Sequence, residues 1–301
     1  MAIVCCVGVG TIGRSWAAAF ARAGHEVRLY DSGPNAAKLS KSRLLAECGH
    51  SPSHGMSREQ IEQLLQSCGT LGEALRDVEY VQESIAEDAS LKRELFMQIG
   101  ELVSSECTLA SSTSEIPLSR FSFDVPCRAQ MVVAHPINPP HLIPVVEISG
   151  SSWTNPQTID KCMTFQRSIG QEPILLHGEM EGYVVNRLQF ALIGEALKLV
   201  SSGYCSVVDV DKAIKDGLGR RWAFMGPFET GHLNADGGFY EYISKFRPII
   251  ERLLSNVSPG APLDDQLVRF IHDQLLHVIP LENIRARQAW RDLQLLNCRI
   301  R

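Results

Sequence analysis

The chain of 301 residues contains no long apolar run and no long run of charge of either sign. Its longest apolar stretches are of strand length, too short for a membrane-spanning helix. Met1 leads straight into Ile3-Val4-Cys5-Cys6-Val7 without a basic segment or a small-residue cleavage pattern, so no secretory leader is read there and a cytoplasmic protein is expected. Lysine and arginine number 29 against 34 acidic residues, a net charge of −5 with no basic stripe, and neither nucleic acid nor a membrane surface is an expected partner. The nine cysteines include no C-x-x-C pair, and Cys5 and Cys6 lie within an apolar run, so they read as reduced packing thiols and no metal is expected. His50 and His54 have the spacing of a helical metal pair, but Ser51 and Pro52 place them in a loop.

What is present is an ordinary globular composition, 45% hydrophobic and 21% charged, over a length that fits two domains of roughly 150 residues. Residues 1–31 run strand, tight turn, helix, strand. A helical stretch over 33–67, interrupted by a loop-like segment at 48–55, comes next. Strands at 78–85, 107–111, 129–134 and 144–148 then alternate with helices at 91–102 and 157–169, and a short strand at 172–176 ends the series. This alternation predicts a Rossmann-type, mainly parallel α/β sheet with helices on both faces. From Val184 onward the apolar spacing is helical, which predicts an all-α C-terminal domain. The expected division is 1–180 and 181–301.

Gly8-Val9-Gly10-Thr11-Ile12-Gly13 follows the first strand and opens the first helix. In such a G-x-G-x-x-G turn one glycine makes the bend, one lets a pyrophosphate approach the backbone and one permits close helix-to-strand packing. Asp31 ends the next strand, where a carboxylate accepts hydrogen bonds from ribose hydroxyls and repels a 2′-phosphate; no arginine follows in Ser32-Gly33-Pro34-Asn35, so NAD is expected over NADP. A strand-end acid or helix cap is the alternative for Asp31.

A second informative segment runs from Ala134 to Ile148. Four prolines within 136–144 predict that His135 and Asn138 leave the strand in a stiff loop, with a strand resuming at Glu147. A histidine there suits a general base taking a hydroxyl proton, and Glu147 would orient it if the loop folds back; a satisfied loop histidine is the other reading. Ser111-Ser112-Thr113-Ser114 follows a strand end, where hydroxyls either face a ligand crevice or cap a helix.

These segments resemble the 3-hydroxyacyl-CoA dehydrogenase superfamily, and within it the lambda-crystallin / L-gulonate 3-dehydrogenase branch. The likeness is carried by Gly8 to Gly13, Gln82 to Asp88, Ser111 to Ser114, His135 to Pro140 and Asn186-Arg187-Leu188, and it continues through Gly217 to Pro227 and His232 to Ala235. It implies an NAD-dependent enzyme oxidising the 3-hydroxyl of a small acid such as L-gulonate, with His135 as base, Glu147 as its partner, and Ser114 and Asn186 completing the catalytic set. By the same resemblance Ser114, Asn138 and Asn186 hold the substrate, and Thr11, Ile12, Asp31, Glu87 and Lys92 join Gly8, Gly10 and Gly13 at the cofactor. Arg220-Arg221-Trp222-Ala223-Phe224 precedes Met225-Gly226-Pro227, and Arg221 offers a bidentate partner for a free carboxylate. Carnitine dehydrogenases share such an arginine-bearing segment, and Lys38, Lys41 and Arg43 lie where acyl-CoA enzymes place basic groups. A homodimer through the helical domain is implied, and a crystallin-like role that keeps the cofactor site without chemistry is the reading from another class.

Overall fold

The computed structural model describes residues 1–48, 57–257 and 265–297, so His50 and His54 lie outside the described residues. The chain divides into two compact units, Met1–Leu188 and Gln189–Arg301.

The first unit is built on an eight-stranded sheet of order β3-β2-β1-β4-β5-β6-β7-β8. The strands are β1 (Ile3–Val7), β2 (Glu26–Tyr30), β3 (Leu65–Ser67), β4 (Tyr80–Glu83), β5 (Thr108–Ser111), β6 (Met131–Pro136), β7 (Val145–Ser149) and β8 (Glu172–Leu175). All neighbours pair in parallel except β6 and β7, which are antiparallel, so the last two strands run against the other six. The helices are α1 (Thr11–Arg22), α2 (Ala36–Cys48), α3 (Arg58–Leu64), α4 (Leu71–Leu75), α5 (Ala89–Leu102), α6 (Ser119–Ser122), α7 (Pro156–Ser168) and the start of α8 (Tyr183–Ser201).

The period of two along each strand sorts side chains onto two buried faces. From β1, Val4 and Cys6 join the layer of Trp16, Phe20 and Leu29, whereas Cys5 and Val7 join that of Val81, Phe96 and Leu109. Helix α1 is buried on every face from Trp16 to Ala21, more than one full turn. Asp88 accepts from the Leu91 N–H and starts α5; Asn155, followed by Pro156, does the same for α7.

Two expectations need correction. The stretch over 33–67 is not helical throughout, because Leu65–Ser67 forms β3, a three-residue edge strand with only Leu65 buried; one apolar side chain is too short a pattern to betray a strand. His135 and Pro136 do not leave the sheet either but end β6. Pairing of β6 with β5 stops at Val133, so Pro136 needs no N–H on that side.

The second unit is helical: α8 continues to Ser201, followed by α9 (Val207–Lys212), a π-helical turn over Ala213–Leu218, and α10 (Gly219–Trp222). Then come α11 (Pro227–His232), α12 (Gly238–Val257), α13 (Asp265–Val278) and α14 (Ile284–Asn297). Its buried groups are small: Met225, Leu233, Ile279 and Ile284 in one, Phe239, Ile243 and Val268 in another.

Candidate active site

The glycine turn closes over the end of β4. Gly8 has φ +82°, and a methyl added there would fall 2.7 Å from the Ser84 carbonyl; one added to Gly13 would fall 1.9 Å from the Gly8 oxygen. At Gly10, by contrast, an added methyl meets no protein atom within 4 Å. Packing therefore explains glycine at 8 and 13, while at 10 it does not, and the space beside it is open to a ligand. Gly10 is the N-cap of α1 and no side chain caps that end, so the first-turn N–H groups of Thr11, Ile12 and Gly13 remain available to an anion. Asp31 accepts from the Val9 N–H at 3.0 Å and the Gly33 N–H at 2.9 Å, which fixes its carboxylate beside the turn. A cleft of about 480 Å³ lies here, lined by Gly8, Gly10, Tyr30, Asp31 and Ser84 among others. These residues fit a dinucleotide: a dipole and bare backbone for the pyrophosphate, an acid for the ribose.

The buried Lys92 and the more accessible Glu87 belong to a charged network beside the loop after β5. Lys92 is 1% exposed and lies 2.8 Å from Glu83 Oε1 and 3.3 Å from Glu87 Oε2. Glu83, fully buried, also accepts from the Ile85 N–H at 2.6 Å and from the Ser111 hydroxyl. Glu87 accepts from the Thr113 hydroxyl at 2.7 Å and from the Ser114 and Glu115 N–H groups at 2.6 and 3.1 Å. Burial would push the Glu87 carboxyl up, but the Thr113 hydroxyl, the Lys92 ammonium and the two N–H groups outweigh it and hold the carboxyl below its ordinary value. Sequence reasoning missed Glu83; an acid ending the strand Tyr80-Val81-Gln82, nine residues before a lysine, was the available signal.

The register of β6 and β7 sets His135 directly opposite Glu147. Side chains of directly opposed residues share a face, and His135 Nδ1 lies 2.8 Å from Glu147 Oε2 with both groups buried. A carboxylate only accepts, so a neutral imidazole in this geometry has its proton on Nδ1 and its lone pair on Nε2. The other oxygen, Oε1, accepts from the N–H groups of Val184 and Val185 at 2.7 and 3.1 Å. Glu147 thus sits on the first turn of α8, where the helix dipole favours a negative charge.

The approach to that turn is bent sharply, with Gly182 at φ +73° and Tyr183 at φ +44°. A tyrosine in the left-handed region costs on the order of 1–2 kcal/mol. Tyr183 offsets this by being 1% exposed, with its ring centroid 5.2 Å from that of His135 and its hydroxyl donating to the Ile116 carbonyl at 2.9 Å. Asn186 Nδ2 donates to the Ser114 carbonyl at 3.0 Å. The structure therefore brings His135, Glu147, Ser114 and Asn186 into one connected set. Asn138 is exposed in the β6–β7 loop at the cis Asn138–Pro139 bond, and Arg221 lies on α10 of the second unit. The sequence assigned no role to Tyr183 or to the two α8 N–H groups.

This chain matches the family model "3-hydroxyacyl-CoA dehydrogenase, NAD binding domain" over residues 3–180 and "3-hydroxyacyl-CoA dehydrogenase, C-terminal domain" over 182–257. It is 38% identical over 293 residues to lambda-crystallin of Oryctolagus cuniculus, covering 95% of this chain and 92% of that one. It is 35% identical over 275 residues to an L-carnitine dehydrogenase of Streptomyces griseus, covering 91% and 80%. Among solved structures, an NAD+-dependent dismutase, 5-formyl-3-hydroxy-2-methylpyridine 4-carboxylic acid 5-dehydrogenase, superposes with a TM-score of 0.74 at 26% identity, covering 99% of this chain and 97% of that one.

Proposed function

The chain belongs to the 3-hydroxyacyl-CoA dehydrogenase family, on its lambda-crystallin branch, and its cofactor is NAD; from that premise we propose that it oxidises the 3-hydroxyl of a free 3-hydroxy acid, with L-gulonate to 3-dehydro-L-gulonate as the leading reaction. The observation that carries this reading is the 2.8 Å contact between His135 Nδ1 and Glu147 Oε2, which leaves Nε2 as the base. His135 takes the hydroxyl proton, and the imidazolium so formed faces a carboxylate held by two N–H groups. NAD, when bound, supplies the acceptor for the hydride leaving C3. Ser114, Asn138 and Asn186 hold the substrate, Asn186 while also donating to the Ser114 carbonyl. Gly8, Gly10, Thr11, Ile12, Gly13 and Asp31 hold the cofactor, together with Glu87 and Lys92.

Arg221 is assigned to the substrate carboxylate. A free acid is favoured over a CoA ester by Lys41, whose ammonium donates to the carbonyls of Glu62 and Leu65. Lys38 and Arg43 stay exposed on α2, and on them rests the second reading, a 3-hydroxyacyl-CoA dehydrogenase. Carnitine is the other free-acid candidate. A crystallin-like role without chemistry is disfavoured by the intact dyad. We further propose a cytoplasmic homodimer, supported by the exposed apolar side chains of Phe190, Leu197, Val207, Val208, Phe270 and Val278; no described helix is long and apolar enough to cross a membrane.

The test is the initial rate of NAD reduction with L-gulonate, L-carnitine and 3-hydroxybutyryl-CoA in parallel, with His135→Gln as control. A rate with L-gulonate that the control loses supports the proposal; a rate with the CoA ester alone overturns it in favour of the second reading.

A further inference from the structure

Tyr183 touches both halves of the site. Its ring lies 5.2 Å from the His135 imidazole at an interplanar angle of 31°. Its hydroxyl donates to the Ile116 carbonyl at 2.9 Å, at the far end of the loop that carries Ser114. The two residues after it donate their N–H groups to Glu147, and the third, Asn186, donates to the Ser114 carbonyl. Five contacts to the dyad and to the serine loop thus issue from four consecutive residues, Tyr183 to Asn186. The backbone enters this run through two successive left-handed residues, Gly182 and Tyr183. A buried aromatic face restricts rotation of a neighbouring imidazole, and a hydroxyl bond to a loop carbonyl restrains that loop.

We propose that Tyr183 is a positioning residue: its ring sets the plane of the His135 imidazole, and its hydroxyl ties the 112–116 loop to the dyad so that Ser114 and His135 keep a fixed separation. The proposal rests on the reading of His135 and Glu147 as the catalytic dyad. It assigns two separable tasks to one side chain. Tyr183→Phe keeps the ring and deletes the tie; Tyr183→Leu deletes both while remaining apolar.

The experiment compares wild type, Y183F and Y183L in kcat and KM for NAD and for whichever of the three hydroxy substrates above is turned over. Deuterium uptake of peptides spanning 112–116 and 145–149 is followed in the same full-length proteins. Loss of one hydrogen bond in Y183F is expected to raise the KM of the hydroxy substrate about five-fold and to speed exchange over 112–116, with KM for NAD and exchange over 145–149 unchanged. Y183L is expected to lower kcat by a further factor of about ten and to displace the pH at which kcat/KM is half-maximal. Kinetic constants and 112–116 exchange within twofold of wild type in both variants would overturn the proposal, as would exchange accelerated evenly over both segments in Y183F. Should Y183L fail to fold, Y183F alone decides the tie. Should His135→Gln keep the wild-type rate, the dyad reading fails by itself, and the exchange comparison still decides whether Tyr183 restrains the loop.

Discussion

The ammonium of Lys92 lies 2.8 Å from Oε1 of Glu83, and the two side chains are 1% and 0% exposed. The pair joins α5 to the end of β4, directly beneath the loop that carries Ser114. An ion pair this deep makes a small net contribution when intact, but removal of one partner leaves a stranded charge and costs about 3–5 kcal/mol. Lys92→Met is therefore expected to lower the melting temperature sharply. A variant that melts like wild type and only binds NAD more weakly would make Lys92 a cofactor contact instead.

The three turn glycines should separate by phenotype. Gly13→Ala drives a methyl into the Gly8 oxygen and is expected to unfold or strongly destabilise the first unit. Gly10→Ala meets open space at an ordinary φ of −63°, so its melting temperature should stay near wild type. NAD affinity, followed by quenching of intrinsic fluorescence, should nonetheless fall at least about ten-fold, because the methyl stands where the pyrophosphate approaches.

Glu147→Gln keeps the shape of the side chain but puts an NH2 where an acceptor faces His135 Nδ1 or the α8 N–H groups. Either orientation opposes a donor to a donor or reverses the imidazole tautomer. Steady-state kinetics should show kcat lower by between about 10²- and 10⁴-fold.

Glu87 links folding to acidity. Its carboxyl is held below the ordinary value of 4.5: burial alone would raise it, but the Thr113 hydroxyl and Lys92 prevail. A folded-state value below the unfolded one gives stability that is complete above the unfolded value and disappears as the pH falls through the folded one. Thermal melts of wild type and Glu87→Gln should therefore differ most near neutrality and converge once the pH drops below 4.5.

Arg221→Ala tests the assignment of the substrate carboxylate. The expected outcome is a rise in the KM of the hydroxy acid of about ten-fold or more with KM for NAD unchanged. An unchanged substrate KM removes Arg221 from the site.

The parallel sheet was legible because strand-length segments alternate with helical ones, β1 and the start of β6 are apolar runs, and the glycine turn sits between the first strand and the first helix. His135 and Glu147 were legible as residues, yet their geometry was not. Four prolines argued for a loop, whereas the contact is made by an antiparallel register that no local pattern specifies. β3 was missed because an edge strand of three residues buries one side chain. Lys41 illustrates the opposite error: a lysine in an exposed-looking helix reads as a free cation until two backbone carbonyls are found on it. Tyr183 was hidden for a different reason, since its role depends on two successive left-handed residues and on partners 48 and 67 positions earlier in the chain.

The anchoring of Glu147 bears on how the protein can be dissected. A fragment stopping at residue 180, where the match to the NAD-binding domain ends, would contain all eight strands, the glycine turn and both members of the dyad. It would still leave Oε1 of a buried carboxylate without the two N–H groups that face it, and the imidazole without its aromatic neighbour. Under the proposed function, the smallest piece that could do chemistry is longer than the smallest piece that could hold the dinucleotide.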